Sequence, residues 1–285
     1  MSKEHLFYLL ICPIAAWAGD EDLQSFKLSY SQYDETLALE AIETEVSPAS
    51  LLASYTYISA EGLVWSGDIW HEEAKESIKA NAKLEKGAWG GGLSLAYSLG
   101  DLEVEWLYSY SRSDLKAWSG AENRIEEDSE SFEYGVRTLV YYSWDEWSMS
   151  PSVLLAYQDT RSQSKAWLNK IVISEKSSEI AWLVSPALSL SYMFELNDRA
   201  TLSPNLALSW NDAFHGEGRV RTLAYRRSAS LSEEGESELG LDGSGRLSLG
   251  ASLSVDSYYL DLSLDEMINL PNIGTQINLG LGMVW

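Results

Sequence analysis

Apolar and polar residues alternate with a period of two along most of this chain. The last segment is the clearest: Ile273, Ile277, Leu279, Leu281, Met283 and Trp285 fall on one face, and Gly274, Gln276, Asn278, Gly280, Gly282 and Val284 on the other. A strand with one apolar face and one small or polar face is half-buried. Residues 258–265 repeat the pattern, with Tyr258, Leu260, Leu262 and Leu264 opposite Tyr259, Asp261, Ser263 and Asp265. So do residues 245–255, 180–194 and 132–144. Followed from end to end, the alternation predicts twelve strands. They fall at 24–33, 50–59, 62–71, 87–99, 102–112, 131–144, 147–160, 180–194, 200–212, 238–255, 257–266 and 273–285.

The connections alternate as well. Short turns are predicted at Ala60–Glu61, Gly100–Asp101, Asp145–Glu146, Asn197–Asp198 and Asp256–Ser257, with longer polar links at 34–49, 72–86, 113–130, 161–179, 213–237 and 267–272. Tight turns at one end and longer loops at the other are the anatomy of a single up-and-down antiparallel transmembrane β-barrel. The stretch Glu72 to Lys86 carries Ala74, Ile78 and Ala82 at helical spacing, but its charge reads first as a solvated loop.

Composition decides what covers the apolar face. In a soluble sandwich that face meets a second sheet; in a membrane barrel it meets lipid, and the small polar face lines a lumen. Trp65, Trp106, Trp144, Trp147, Trp182, Trp210 and Trp285 fall on apolar faces near predicted strand ends, as interfacial aromatics do. Lys is almost absent from the predicted strands, and charge gathers in the links, as in Glu126–Glu127–Asp128 and Glu233–Glu234. These features favour the lipid-facing barrel.

The N-terminus reads as an export signal. Lys3 is followed by the apolar run Leu6 to Ala18, which ends in Ala16–Trp17–Ala18 before an abrupt switch to Gly19–Asp20–Glu21–Asp22. Cleavage is expected before Gly19, giving a signal peptide at 1–18 and a barrel domain at 19–285, placed in a bacterial outer membrane. The single cysteine, Cys12, leaves with the signal, which excludes a disulfide scaffold and a thiolate metal cluster. Twenty Lys and Arg stand against 43 Asp and Glu, a net charge of −23 that argues against nucleic acid as a partner.

With an export signal, alternating strands and a last strand in which Leu279, Leu281 and Met283 lead to the terminal Trp285, the chain resembles bacterial outer-membrane β-barrels over residues 24–285. In that class the terminal strand is the signal read by the barrel assembly machinery, so the resemblance implies this role for Leu279, Leu281, Met283 and Trp285. Twelve strands in this length is similar to the translocator domain of autotransporters. Only Gly19 to Leu23 precede the first predicted strand, so the resemblance implies an autotransporter-type barrel without a passenger. Outer-membrane lipid and lipopolysaccharide are the other implied partners.

By alternation the inward charges are Glu103, Glu105, Glu133, Asp242, Asp261 and Asp265 against Lys27, Arg137 and Arg246. Carboxylates lining a bore favour cations, so the expectation is a small passive channel with weak cation preference. Two alternatives stay open. Arg137 and Arg246 pair with acids across the barrel and hold it rigid, or the chain is an autotransporter-type or structural, adhesive barrel presenting acidic surface loops. Trp106, Trp144, Trp147, Trp182 and Trp210 are the expected membrane-interface aromatics. His71 and His215 lack a His-x-Ser arrangement, and two distant histidines make no ligand set. No enzyme activity, cofactor or metal is expected. Arg219, Arg221, Arg226 and Arg227 form the one basic patch, on the longest predicted loop.

Overall fold

The computed structural model describes residues 22–33, 35–39, 42–78, 82–119, 123–168, 171–226, 229–237, 243–269 and 274–285. The expected leader at 1–18, Arg227, Asp242 and residues 270–273 lie outside them. Twelve antiparallel strands form the staves. These are β1 (Leu23–Gln32), β2 (Ala49–Ile58), β3 (Leu63–Ile78), β4 (Ala82–Leu99), β5 (Leu102–Ser119) and β6 (Asn123–Val140). They continue as β7 (Trp147–Leu168), β8 (Ile171–Tyr192), β9 (Ala200–Arg226), β10 (Ser244–Val255), β11 (Tyr258–Ile268) and β12 (Gln276–Val284). Each stave pairs with its neighbours in sequence, and β1 pairs with β12, closing an up-and-down barrel. The seam is stitched over eight register pairs from Ser25–Val284 to Gln32–Ile277, and Gln24 and Trp285 exchange both backbone hydrogen bonds at 2.9 Å. No sheet edge is left at the seam, as a bilayer requires.

The short turns stand where the alternation puts them. Gly100 (φ 67°) and Asp256 (φ 51°) begin the two-residue turns β4–β5 and β10–β11, and Asp145 (φ 51°) begins the turn after β6. All three occupy the left-handed region, where glycine is unstrained and Asp is among the few side chains tolerated.

The opposite end differs from expectation. The segments 72–86, 113–130, 161–179 and 213–237, read from sequence as links, are mostly strand among their described residues: β3 to β9 run on through them, with ladders reaching Ile78–Ala82, Ser119–Asn123, Leu168–Ile171 and Arg226–Ala229. The described residues of the stretch Glu72 to Lys86, 72–78 and 82–86, are therefore the facing ends of β3 and β4, in register from Glu73–Gly87 to Ile78–Ala82. Of the predicted strand at 238–255, residues 238–242 lie outside the described residues and Ser244–Val255 is strand, while Ala229–Ser237 pairs back onto β9 from Gly218 to Arg226. The physical reason is that hydrogen-bonded ladders do not need lipid. Beyond the bilayer the outward positions become charged, which hides the half-apolar signature while the backbone continues unbroken.

Extension is one-sided. Strands β3 to β8 are 16 to 22 residues long and β9 is 27, whereas β10, β11, β12, β1 and β2 are 9 to 12. The barrel thus carries a curved wall over seven staves and a low rim over five. A hairpin, Glu35–Leu39 with Ile42–Val46, rises from the low side between β1 and β2.

Candidate functional site

Alternation along each stave sends one side chain to lipid and the next into the bore. On β12 the outward residues Leu279, Leu281, Met283 and Trp285 are exposed, while inward Gln276 is buried. On β1, Phe26, Leu28 and Tyr30 face out and Ser25 and Lys27 face in. The bore is packed with its own polar side chains. Of the candidates, Glu103, Glu105, Glu133, Asp261 and Asp265 are all buried, Glu133 at 1 % exposure and Asp265 at 0 %. Arg137 and Arg246 also point inward and are mostly covered.

Each basic side chain described in the bore is matched to an acid. Arg137 Nε donates to Glu105 at 2.7 Å across β5–β6. Arg246 on β10 is paired with Asp265 on β11, which also accepts from the Asn278 amide on β12. Lys27 on β1 reaches over β12 to Asp261 on β11. That reach needs Gly280: a Cβ there would lie 2.5 Å from Lys27 Cε, and one at Gly282 would lie 2.2 Å from Tyr259 Cζ. These two glycines let long side chains cross a stave flat against its backbone.

A fourth pair was hidden from the sequence reading. Lys86 Nζ lies 3.2 Å from Glu72, whose other oxygen accepts from the Tyr33 hydroxyl at 3.0 Å. All three side chains are buried. The signal was present: Glu72 and Lys86 continue the inward series Val64, Ser66, Asp68, Trp70 and Ala88, Gly90, Gly92. Their charge made the segment look like a link. Trp70 is a second omission, an inward tryptophan lying over Gly90, where a Cβ would meet its ring at 2.8 Å.

Burying an ion pair is a poor source of net stability, because desolvation offsets the attraction. Its consequence is different. A carboxylate held by a guanidinium in a packed bore is fixed in place and is not available to a passing ion. Among the described residues no group of His, Asp or Glu converges as a metal site. His71 lies between Leu51 and Trp89 in the register and His215 opposite Trp182 at a bulge in β9; both face outward from strands, not loops.

The aromatics expected at the membrane interfaces, together with their neighbours, form two belts. Near the short turns, Trp147 packs on Tyr192 at 4.9 Å and Tyr192 on Phe194 at 4.5 Å, with exposed Trp144 beside them. Trp65 packs on Tyr55 at 5.2 Å on the same side. At the other border Tyr157 meets Trp182 at 5.4 Å, and Trp210 lies over Gly243 and Gly245. Trp106 sits two outward positions in from the short turn, within the apolar band. The sequence reading missed the middle of the far belt, Trp89, Tyr110 and Phe132, which pack in series at 5.4 and 5.0 Å. The signal was present: Trp89, Tyr110 and Phe132 lie at most two residues from an end of the predicted strands 87–99, 102–112 and 131–144.

At the short-turn end Asp22 accepts from the Tyr57 hydroxyl at 2.7 Å and the Ala60 amide at 3.0 Å. These donors hold the exposed Asp22 carboxyl below its ordinary range.

A family model, the autotransporter β-domain, matches residues 65–265. Solved structures of the same shape include the translocator domain of the autotransporter NalP from Neisseria meningitidis, with a TM-score of 0.64 at 13 % identity over 93 % of this chain and 89 % of that one. The β-domain of the Bordetella autotransporter BrkA aligns with a TM-score of 0.57 at 12 % identity, over 92 % of this chain and 99 % of that one. At such identities the likeness is one of fold. No curated protein sequence matches the chain. The family match spans β3 to β11, the staves that carry both the wall and most of the bore, and the closed twelve-stranded barrel fits it: the chain belongs to the autotransporter β-domain family, a family of the bacterial outer membrane.

Proposed function

We propose that this protein works as an autotransporter-type barrel, which sits in the outer membrane and presents its extended wall outside the cell. The family match over 65–265 carries this reading. The weakly cation-preferring channel expected from the inward carboxylates finds no such support. Glu105, Asp261 and Asp265 are engaged by Arg137, Lys27 and Arg246, and Glu72 by Lys86. In barrels of this kind the short turns face the periplasm and the long end faces outward.

Several parts of the reading rest on sequence. Removal of the leader before Gly19 is supported by the apolar run and its small residues. Recognition of the last strand by the assembly machinery is supported by the outward Leu279, Leu281, Met283 and Trp285. Lipid and lipopolysaccharide are the natural neighbours of the exposed apolar belt, and nothing in the chemistry calls for catalysis or for nucleic acid.

An epitope inserted at 120–122, between β5 and β6, tests the orientation. Antibody is expected to label it on intact cells, and labelling only after the outer membrane is opened would overturn the proposal. Planar-bilayer recording tests the channel reading directly. The expected result is no steady conductance; a stable, cation-selective current would restore that reading in place of this one.

A further inference from the structure

The wall carries most of the basic residues of a chain whose net charge is −23. On β7, β8 and β9, Arg161, Lys165, Lys176, Arg219 and Arg221 lie on the outward face and all are exposed. Sequence reading placed Arg219 and Arg221 on a loop; the register puts them on a strand and brings the other three beside them.

Lys176 is the centre. In register it faces Gln163 on β7 and Arg221 on β9. Its diagonal neighbours on the same face are Arg161 and Lys165 on one side and Arg219 and Leu223 on the other, with Ser174 and Ser178 above and below it on β8. Neighbours at these offsets are within reach across a sheet. Four are cations and none is a carboxylate. Acids stand at the margins: Glu126, Asp128 and Glu130 on β6, Asp159 bonded to Arg161 at 2.9 Å, and Glu234 and Glu236 in register with Arg221 and Arg219.

Height narrows the ligand. Arg161 is four residues beyond Tyr157, and Arg219 four beyond His215, which is in register with Trp182. Tyr157 and Trp182 belong to the aromatic belt, so the patch begins about 13 Å along the strands from the hydrocarbon border. Strands tilted by about 40° rise about 10 Å over that length, just past a headgroup zone of about 5–8 Å per leaflet, and long Arg and Lys side chains reach back toward its phosphates. The surface is convex and about 10 Å wide, which suits a headgroup packed sideways against a barrel better than a small solute seeking a cleft.

We propose that the outward face of β7–β9 around Lys176 binds the phosphorylated headgroup of the outer-leaflet glycolipid. Phosphate oxygens accept from the Arg161, Arg219 and Arg221 guanidinium forks and from Lys165 and Lys176. The Ser174 and Ser178 hydroxyls lie between the cations. The marginal acids exclude the headgroup from the rest of the wall. This rests on the outer-membrane reading above.

The test uses the folded protein in detergent with chelator present, so that divalent ions do not bridge the marginal acids to phosphate. Binding of purified lipopolysaccharide is compared with binding of the same material after dephosphorylation. Lys176→Glu combined with Arg219→Glu is expected to weaken binding about tenfold. Lys116→Glu, on β5 of the same wall, is expected to stay within about twofold, and the dephosphorylated lipid to bind wild type as weakly as the phosphorylated lipid binds the double variant. Lys176→Gln alone, with an expected loss of about threefold, serves if the reversal fails to fold. Equal binding by wild type and variants, indifference to phosphate, or full competition by millimolar inorganic phosphate would each overturn the assignment. Heat-modifiable gel mobility is scored separately: its absence from the wild type sinks the outer-membrane reading, and its presence with no phosphate effect sinks only this one.

Discussion

The low rim and the tall wall are built from the same kind of strand but hold themselves together differently. On the low side, β10–β12 and β1 present the bore with two buried groups, Arg246 with Asp265 and Asn278, and Lys27 with Asp261. Remove one member and a charge is stranded where water does not reach. The upper wall has no hydrocarbon against its outer face. It is held by its ladders and by many cross-strand pairs: Arg112 with Glu130 at 3.6 Å, Ser162 with Ser177 at 2.6 Å, and Arg124 stacked between Trp118 and Trp167 at 5.5 Å from each ring. Each such pair contributes only about 0.2–1 kcal/mol. One region concentrates its sensitivity to single changes in a few groups; the other spreads it over many.

That contrast predicts a steep order of mutational effects. Arg246→Ala, which strands Asp265 at 0 % exposure, is expected to cost about 3–5 kcal/mol. A large fall in the temperature at which the folded band is lost on gels would register it, and the paired change Arg246→Met with Asp265→Leu should recover most of the loss. A single Arg246→Ala barrel as heat-resistant as wild type would break the comparison at its strongest point.

Next is Gly282→Val. The new side chain meets the Tyr259 ring, and the displacement is expected to cost about 1–3 kcal/mol and to slow folding into lipid vesicles. Gly282→Val combined with Tyr259→Ala should fold faster than Gly282→Val alone. If it does not, the ring is not the obstacle.

On the wall, Arg124→Ala removes the cation from between two tryptophans and is expected to cost only about 0.5–1 kcal/mol. The barrel's unfolding temperature should not move, while protease cleavage near 120–122 speeds up. A barrel-wide loss of stability would show that wall and barrel are one cooperative unit and blur the distinction.

The smallest effect concerns pH at the short-turn end. Donors on the Asp22 carboxylate lower its folded-state pKa, so its contribution is present above the unfolded value and is lost as pH falls through the folded one. The difference in unfolding temperature between wild type and Asp22→Asn should be visible near neutral pH and should fade below about pH 4. A difference that persists in acid would mean that Asp22 acts through something other than its charge.

Strand number, the turns at Gly100–Asp101, Asp145–Glu146 and Asp256–Ser257, and the two-faced staves were legible because lipid imposes a strict rule: every second side chain in the apolar belt must be hydrophobic. Where that rule ends, so did legibility. The upper halves of β3 to β9 read as loops because their outward residues, such as Lys83, Glu85, Arg112 and Asp128, answer to water, and water accepts charge on a strand as readily as on a loop. Inward charges were legible as single positions by alternation. Their pairing was not, because Lys27 and Asp261 are 234 residues apart in the chain and meet across an intervening stave.

The one-dimensional pattern therefore determined the class of the fold, the number of its staves and which side chains turn inward, since these follow from a local period of two under a uniform solvent. Tertiary structure decided how far each stave continues, which buried charge neutralises which, and that Lys176 stands among four other cations. Those outcomes depend on register between strands distant in sequence, and register is set by closure of the whole cylinder, not by any one segment.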